Sequence, residues 1–402
     1  MSNASPAALT TMQQRVLDLI DVDDVVAMTQ ALVRAVGQNP PGQEQATAEV
    51  LRELSAARGL EVEWDEVAPG RPNVSAILPG GDGPGLLLLG HTDVVPVGAG
   101  WLEDPFGGVV RDGRVCGRGT TDMKGGLAAC VGAMHALRAA GVRLSGPVEL
   151  AATVDEEENG LGIRHYLTSD RSRFAGCVVA EPTSMQTIVA ARGAANCEIT
   201  VTGLAAHAGD PSQGRNAIYG AASVIADLER WHHELASERH AMVGPATVNV
   251  GLVQGGVAAS TVPAQARVVV DRRLLPGENG PEVLAELNAR VAALDLESRG
   301  LHVSAAMDMW MPGFETQVDA TLVECVERAL AHAGGPGRPL GGWTAACDGG
   351  FVARDANVPC VVLGPGSVTE QAHRPDESVG VDELAVATRA YALAALELLG
   401  TD

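Results

Sequence analysis

Three times in the first half of the chain an apolar run stops on acids or a histidine. Leu86-Leu87-Leu88-Leu89-Gly90 leads into His91-Thr92-Asp93, Pro147 to Val154 into Asp155-Glu156-Glu157, and Cys177 to Ala180 into Glu181-Pro182-Thr183. A continuous apolar run bounded by polar residues is the pattern of a strand buried on both faces, as in a parallel sheet covered by helices. In an open α/β sheet, ligands bind outside the carboxyl ends of the strands, so three such ends can converge on one crevice.

The rest of the chain supplies the intervening elements. Gln43 to Arg58 has helical periodicity through Ala46, Val50, Leu51 and Leu54, and strand-like runs follow at Leu60 to Trp64 and Asn73 to Leu78. A helix is expected from about Gly125 to Ala140, with Leu127, Cys130, Val131, Met134 and Leu137 on one stripe and Asp122 just ahead of its first turn. From about Ala194 the pattern changes. Strands are expected at Asn196 to Val201, Ala246 to Val253 and Ala264 to Asp271, and helices at Asn216 to Glu229 and Pro281 to Leu296, which reads as an inserted α+β sandwich. After Pro312 the α/β pattern resumes with a helix at Thr321 to Ala333, a strand at Pro359 to Leu363 and a closing helix from Asp382 to Leu399. A chain of 402 residues exceeds the usual length of one domain. The expected division is 1–192 and 307–402 for the larger domain and 193–306 for the insertion.

Composition narrows the chemistry. A net charge of −22 without any Lys/Arg cluster argues against binding nucleic acid or an anionic membrane, and favours a bound polyvalent cation. The first nineteen residues hold no apolar core of signal-peptide type and no stretch reaches the length of a membrane span, so a cytoplasmic enzyme is expected. Seven scattered cysteines, none in a Cys-x-x-Cys pair, read as small buried hydrophobes rather than as disulfides or a thiolate zinc site. Lys124 is the single lysine of the chain, and chance survival or a need for a compact ammonium would each explain it.

Singly, the polar groups say little. A histidine at a strand end usually serves structure, Asp122 reads equally well as a helix cap, and the acidic run Asp155 to Glu158 as a solvated loop. Together, His91, Asp122, Glu157, Glu181 and His373 make a mixed imidazole and carboxylate set suited to zinc, cobalt or manganese. Two such ions about 4 Å apart can share a bridging carboxylate and a water.

With these residues in view, the chain resembles the metallopeptidase family of acetylornithine deacetylase, succinyl-diaminopimelate desuccinylase, aminoacylase and the glutamate carboxypeptidases. The matching stretches are His91 to Pro96, Gly117 to Gly126, Asp155-Glu156-Glu157, Gly203 to Pro211 around His207, and Ala372-His373-Arg374-Pro375-Asp376-Glu377. The resemblance covers nearly the whole chain. It implies a doubly wound, zinc-peptidase-like α/β catalytic domain with an inserted lid and dimerisation domain, two divalent ions, and a homodimer. It implies His91 and Glu181 on one ion, Glu157 and His373 on the other, and Asp122 bridging. It further implies Glu156 as general base toward a metal-bridging water, Asp93 orienting His91, and His207 stabilising the oxyanion, in some members from the partner subunit.

Asp271-Arg272-Arg273-Leu274-Leu275-Pro276-Gly277 resembles the lid segment whose arginine grips the substrate carboxylate; that role falls to Arg273, with Arg272 as runner-up. Gly364-Pro365-Gly366-Ser367 reads either as a backbone approach to the substrate, through Gly364, or as a plain turn. Two departures, Ser260 where relatives carry Asn and Cys347 where they carry Thr or Ser before Asp348, bear on specificity rather than metal chemistry. The expected activity is release of a free amine from a small N-acyl amino acid that also bears a free carboxylate. A dipeptidase or glutamate carboxypeptidase is the alternative within the family, and a non-catalytic ligand-binding protein on the same fold the alternative outside it.

Overall fold

The computed structural model describes residues 8–169 and 173–401, so the first seven residues of the expected 1–192 segment lie outside it. The chain divides into two compact units. One takes the chain through Val189 together with Glu315–Gly341 and everything from Phe351 onward; the other is Ala190–Phe314 with Gly342–Gly350.

In the first unit, six sheet strands lie in the order Glu61–Ala68, Arg71–Leu78, Val148–Thr153, Gly85–His91, Phe174–Val179, Cys360–Val362. The last four are mutually parallel and the first two antiparallel, so this is an α/β sheet with an antiparallel edge. Gly85–His91 is buried along its full length, as its run of leucines requires. Each such buried side chain contributes about 1.5–3 kcal/mol of transfer free energy. The next parallel strand in sequence, Val148–Thr153, pairs on one side of it, and Phe174–Val179 on the other. Strand order therefore reverses at Gly85–His91, which makes the end of that strand a topological switch point. All three polar clusters read from the sequence sit at this same end.

Helix Gly125–Ala140 packs against Val22–Arg34 and Val381–Leu399. The structure widens the expectation of a single apolar stripe: all but three of its residues are buried. Alanine and glycine permit this, because neighbouring backbone comes in where a larger side chain would stand; a Cβ on Gly126 would lie 2.3 Å from the Ala180 carbonyl oxygen. Among the described residues, no helix is long and apolar enough to cross a membrane.

The second unit is a two-layer α+β sandwich. Its antiparallel sheet runs Thr247–Gly255, Gln265–Leu274, Gly193–Thr202, His302–Met311. Alternate residues of these strands (Cys197, Ile199, Val268, Val270) bury against helices Ala217–Leu235 and Gly280–Ala293 through Val224, Leu228, Trp231 and Leu287. The expected end of the insertion at 306 falls inside the strand His302–Met311, which the sequence reading did not contain.

Candidate metal centre

The centre is assembled from strand ends and two loops of the first unit. His91 closes its strand and is 1% exposed. Its Nδ1 lies 3.0 Å from the Asp93 carbonyl oxygen and 3.5 Å from Asp93 Oδ1. Its Nε2 lies 3.2 Å from Asp122 Oδ1 and 3.3 Å from Glu181 Oε1.

Asp93 does more than orient the imidazole. Its Oδ1 accepts from the backbone N of Glu156 (3.2 Å), and its Oδ2 from that of Glu157 (3.1 Å) and from Asn39 Nδ2 (3.1 Å). Asn39 also donates to Asp155 Oδ1, which receives Arg71 Nη2 as well (3.0 and 2.8 Å). The acidic run is thus sorted by environment: Asp155, at φ 69°, is buried and neutralised by Arg71, Glu157 turns inward, Glu156 is half-buried and Glu158 exposed. Neither a uniformly solvated loop nor four equivalent ligands describes it.

Asp122 sits on the tight turn Thr120–Lys124 that precedes helix Gly125–Ala140. Its two oxygens face opposite partners. While Oδ1 faces His91, Oδ2 lies 3.4 Å from His373 Nε2, which is itself 3.1 Å from Glu157 Oε2. The geometry therefore offers two half-sites, His91 with Glu181 and His373 with Glu157, with one Asp122 oxygen turned to each. Among the described residues, two groups of three have ligand atoms within 4.8 Å of one another: His91, Asp122 and Glu157, and His91, Glu156 and Glu181. Glu156 is thus within the same reach as the other carboxylates.

The charges are strained against each other. Burial opposes the charge on Asp122, yet hydrogen bonds from His373 and His91 hold its pKa well below the carboxylate range. Burial and then the Asp122 charge push Glu181 up to about 8, against the pull of His91, and raise Glu157 in the same way. Hydrogen bonds to Asp122 and Glu157 lift His373 to about 10, and the surrounding carboxylates raise His91 despite its burial. Carboxylates outnumber the imidazoles, so the cluster has room for additional positive charge. Glu157 Oε1 is buried without a hydrogen-bond partner, a donor atom that an ion would satisfy.

Three supporting residues escaped the sequence reading: Asn39, Arg71 and Glu377. Only Glu377 lay within a motif already singled out. Lys124 is buried and donates from Nζ to the Ala35 carbonyl oxygen at 2.6 Å, which ties the Asp122 turn to helix Val22–Arg34. Gly364 is pressed against strand-end backbone: a Cβ there would stand 2.4 Å from Ala180 O and 2.5 Å from Glu181 O. Its missing side chain therefore already has a packing use beside Glu181.

The inserted unit carries the remaining candidates. His207 is exposed on a two-residue strand paired with Thr261–Val262, and its Nδ1 accepts from Gly209 N at 3.0 Å. Arg272 and Arg273 point to opposite faces of their strand. Arg272 is 1% exposed, ion-paired with Glu278 at 2.5 Å and stacked over Trp231, a structural assignment that removes the runner-up. Arg273 is half-buried and held at 2.9 Å by Asp271. Arg192, also missed, donates to the Val243 carbonyl oxygen, and burial followed by the Arg273 charge lowers its pKa.

A model of the family described as peptidase family M20/M25/M40 matches residues 87–397. The chain is 31% identical over 370 residues to an acetylornithine deacetylase of Edwardsiella ictaluri, covering 89% of this chain and 93% of that one. It is 34% identical over 341 residues to an acetylornithine deacetylase of Proteus mirabilis, covering 83% and 85%. Among solved structures, an M20 family metallo-carboxypeptidase of Sulfolobus solfataricus superposes with a TM-score of 0.78 at 18% identity, over 94% of this chain and 99% of the other, a likeness of fold.

Proposed function

This chain belongs to peptidase family M20/M25/M40 and is a hydrolase of amide bonds, and from that premise we propose that it releases a free amine from a small N-acyl amino acid, as an acetylornithine deacetylase does. The observation that carries the mechanism is Asp122, whose two oxygens serve His91 with Glu181 on one side and His373 with Glu157 on the other. The donor set fits two divalent ions of the zinc, cobalt or manganese kind, and we assign zinc. When bound, such ions supply Lewis acidity that polarises the amide carbonyl and eases deprotonation of the attacking water.

The chain's own groups do the rest. Glu156, half-buried and fixed at its backbone by Asp93, takes the proton of the attacking water and passes it to the departing amine nitrogen. Glu157, held one residue on by the same Asp93, is the ligand. His207 donates to the developing oxyanion. Arg273, supported electrostatically by Arg192, binds the substrate carboxylate, and the backbone around Gly364 borders the substrate.

We assign a homodimer to the inserted unit, on the strength of its edge strand Thr247–Gly255 with Leu252 and Val253 exposed and of Tyr219, 66% exposed, on its helix. Seven free cysteines support a reducing, cytoplasmic setting. The alternative within the family is cleavage of a dipeptide, or of a glutamate-terminated peptide, by the same groups.

The test is hydrolysis of a panel of N-acetyl and N-succinyl amino acids, acetylornithine included, and of dipeptides, by metal-stripped protein with and without added zinc or cobalt. Metal-dependent turnover of one acyl amino acid supports the proposal. Turnover of dipeptides alone moves the assignment to peptidase, and no turnover with two ions bound moves it to a binding protein.

A further inference from the structure

The two half-sites are carried by segments far apart in sequence, and one buried carboxylate touches both segments. Glu377 is fully buried four residues beyond His373. Its Oε1 accepts from the backbone N of Thr121 (2.9 Å) and of Asp122 itself (3.1 Å). Its Oε2 accepts from Gly119 N (3.1 Å) and Arg118 Nη1 (2.6 Å). The Glu377 carbonyl oxygen in turn accepts from Gly117 N at 2.8 Å. The whole turn that presents Asp122 is therefore hung on one residue of the segment that presents His373.

Arg118 extends the link. Its Nη1 also reaches the Arg374 carbonyl oxygen at 3.4 Å, next to His373, and its guanidinium lies over the Trp101 ring at 5.1 Å. Leu102 N donates to Asp376 Oδ1 at 3.0 Å, which brings the Trp101 segment onto the same loop. A buried ion pair is a poor source of net stability, since desolvation offsets most of its attraction. Three of the four donors on Glu377 are backbone N–H groups, so what the arrangement fixes is the position of the Asp122 turn.

We propose that Glu377 is a positioning residue: it sets the spacing between Asp122 and His373 and so couples the two half-sites, although it faces no ion. The inference rests on the two-ion reading above. Hydrogen-bonding partners behind metal ligands typically contribute roughly 10–100-fold to metal affinity. Here that contribution falls most on the ion of the His373 side, because the His91 ring is itself held by Asp93 whereas Asp93 reaches that other side only through the backbone of Glu157.

The experiment titrates metal-stripped wild type, Glu377→Gln and Arg118→Lys with zinc against a chromogenic chelator, and follows the same additions with cobalt by visible absorption. The expected result is that wild type takes up two ions. Glu377→Gln is expected to keep the first within about threefold while binding the second roughly 10–100-fold more weakly, with an altered cobalt spectrum and kcat partly restored by excess zinc at unchanged KM. Should Glu377→Gln fail to fold, Arg118→Lys, which keeps a cation beside Glu377, decides the matter by a smaller loss confined to the second ion. A folded variant that binds both ions with wild-type affinity and spectrum overturns the coupling. A wild type that binds fewer than two ions overturns the two-ion reading itself, and the inference with it.

Discussion

The metal centre and the inserted unit hold their polar groups in opposite ways. At the strand ends three of the five proposed ligands have a partner behind them: His91 has Asp93, Glu157 hangs from Asp93 through its backbone, and Asp122 from Glu377. On the inserted sheet, Arg273 has one ion-pair partner and is half-exposed, and His207 is exposed with one backbone contact. Groups that must meet charged ligands at fixed distances are braced from behind. Groups proposed to meet a substrate are left room to adjust, and substrate choice can then change without disturbing the metal chemistry.

The comparison can be broken most sharply at Glu156. Glu156→Ala should lower kcat roughly 10²–10⁴-fold while two ions per chain remain, as read by steady-state kinetics and metal analysis together; loss of an ion would make Glu156 a ligand instead of a base. Next in size is the contrast between adjacent arginines. Arg272→Met removes the buried partner of Glu278 and should cost about 3 kcal/mol in denaturant unfolding, the low end for a pair whose glutamate keeps some solvent contact.

Arg273→Ala should leave that unfolding curve nearly unmoved and raise KM roughly 10–100-fold for carboxylate-bearing substrates, the worth of a charged hydrogen bond. An effect on kcat alone would argue against carboxylate capture. Smallest in amplitude is the ion count: His91→Ala should bring it from two toward one, and unchanged stoichiometry would mean the half-sites are wrongly drawn.

How much of this was legible in the sequence follows the same divide. The strands that lead into His91, Asp155 and Glu181, and the helix after Asp122, were readable because a long apolar run and the polar residues that stop it are local signals. The strand His302–Met311 was not. It alternates exposed and half-buried positions and spends small or polar residues (Ser304, Ala305, Ala306, Asp308) where a run of branched apolar residues would have marked it. Helices Thr11–Asp18 and Val22–Arg34 were also passed over, although Thr10 and Asp21 cap them as sequence rules would suggest.

At the site, the candidate ligands and one brace, Asp93, were visible as motifs, whereas the other braces were not. Asn39 reaches Asp93, Arg71 reaches Asp155 and Arg118 reaches Glu377 across separations that leave no pattern within any window of sequence. The separate fates of Asp155 and Glu157, two residues apart in one acidic run, are set by different distant partners, Arg71 for the first and His373 for the second.

Asp93 has a consequence for how such an enzyme can diverge. A single carboxylate contacts the His91 ring and holds the backbone of both Glu156 and Glu157, so the proposed base and the proposed ligands are inherited as one piece. A substitution that relocates the base drags a ligand with it, and the intermediate on that mutational path lacks both. Descendants of this chain are thereby steered toward new substrates on an old reaction, through the unit that carries Arg273, and away from new reactions at the old centre.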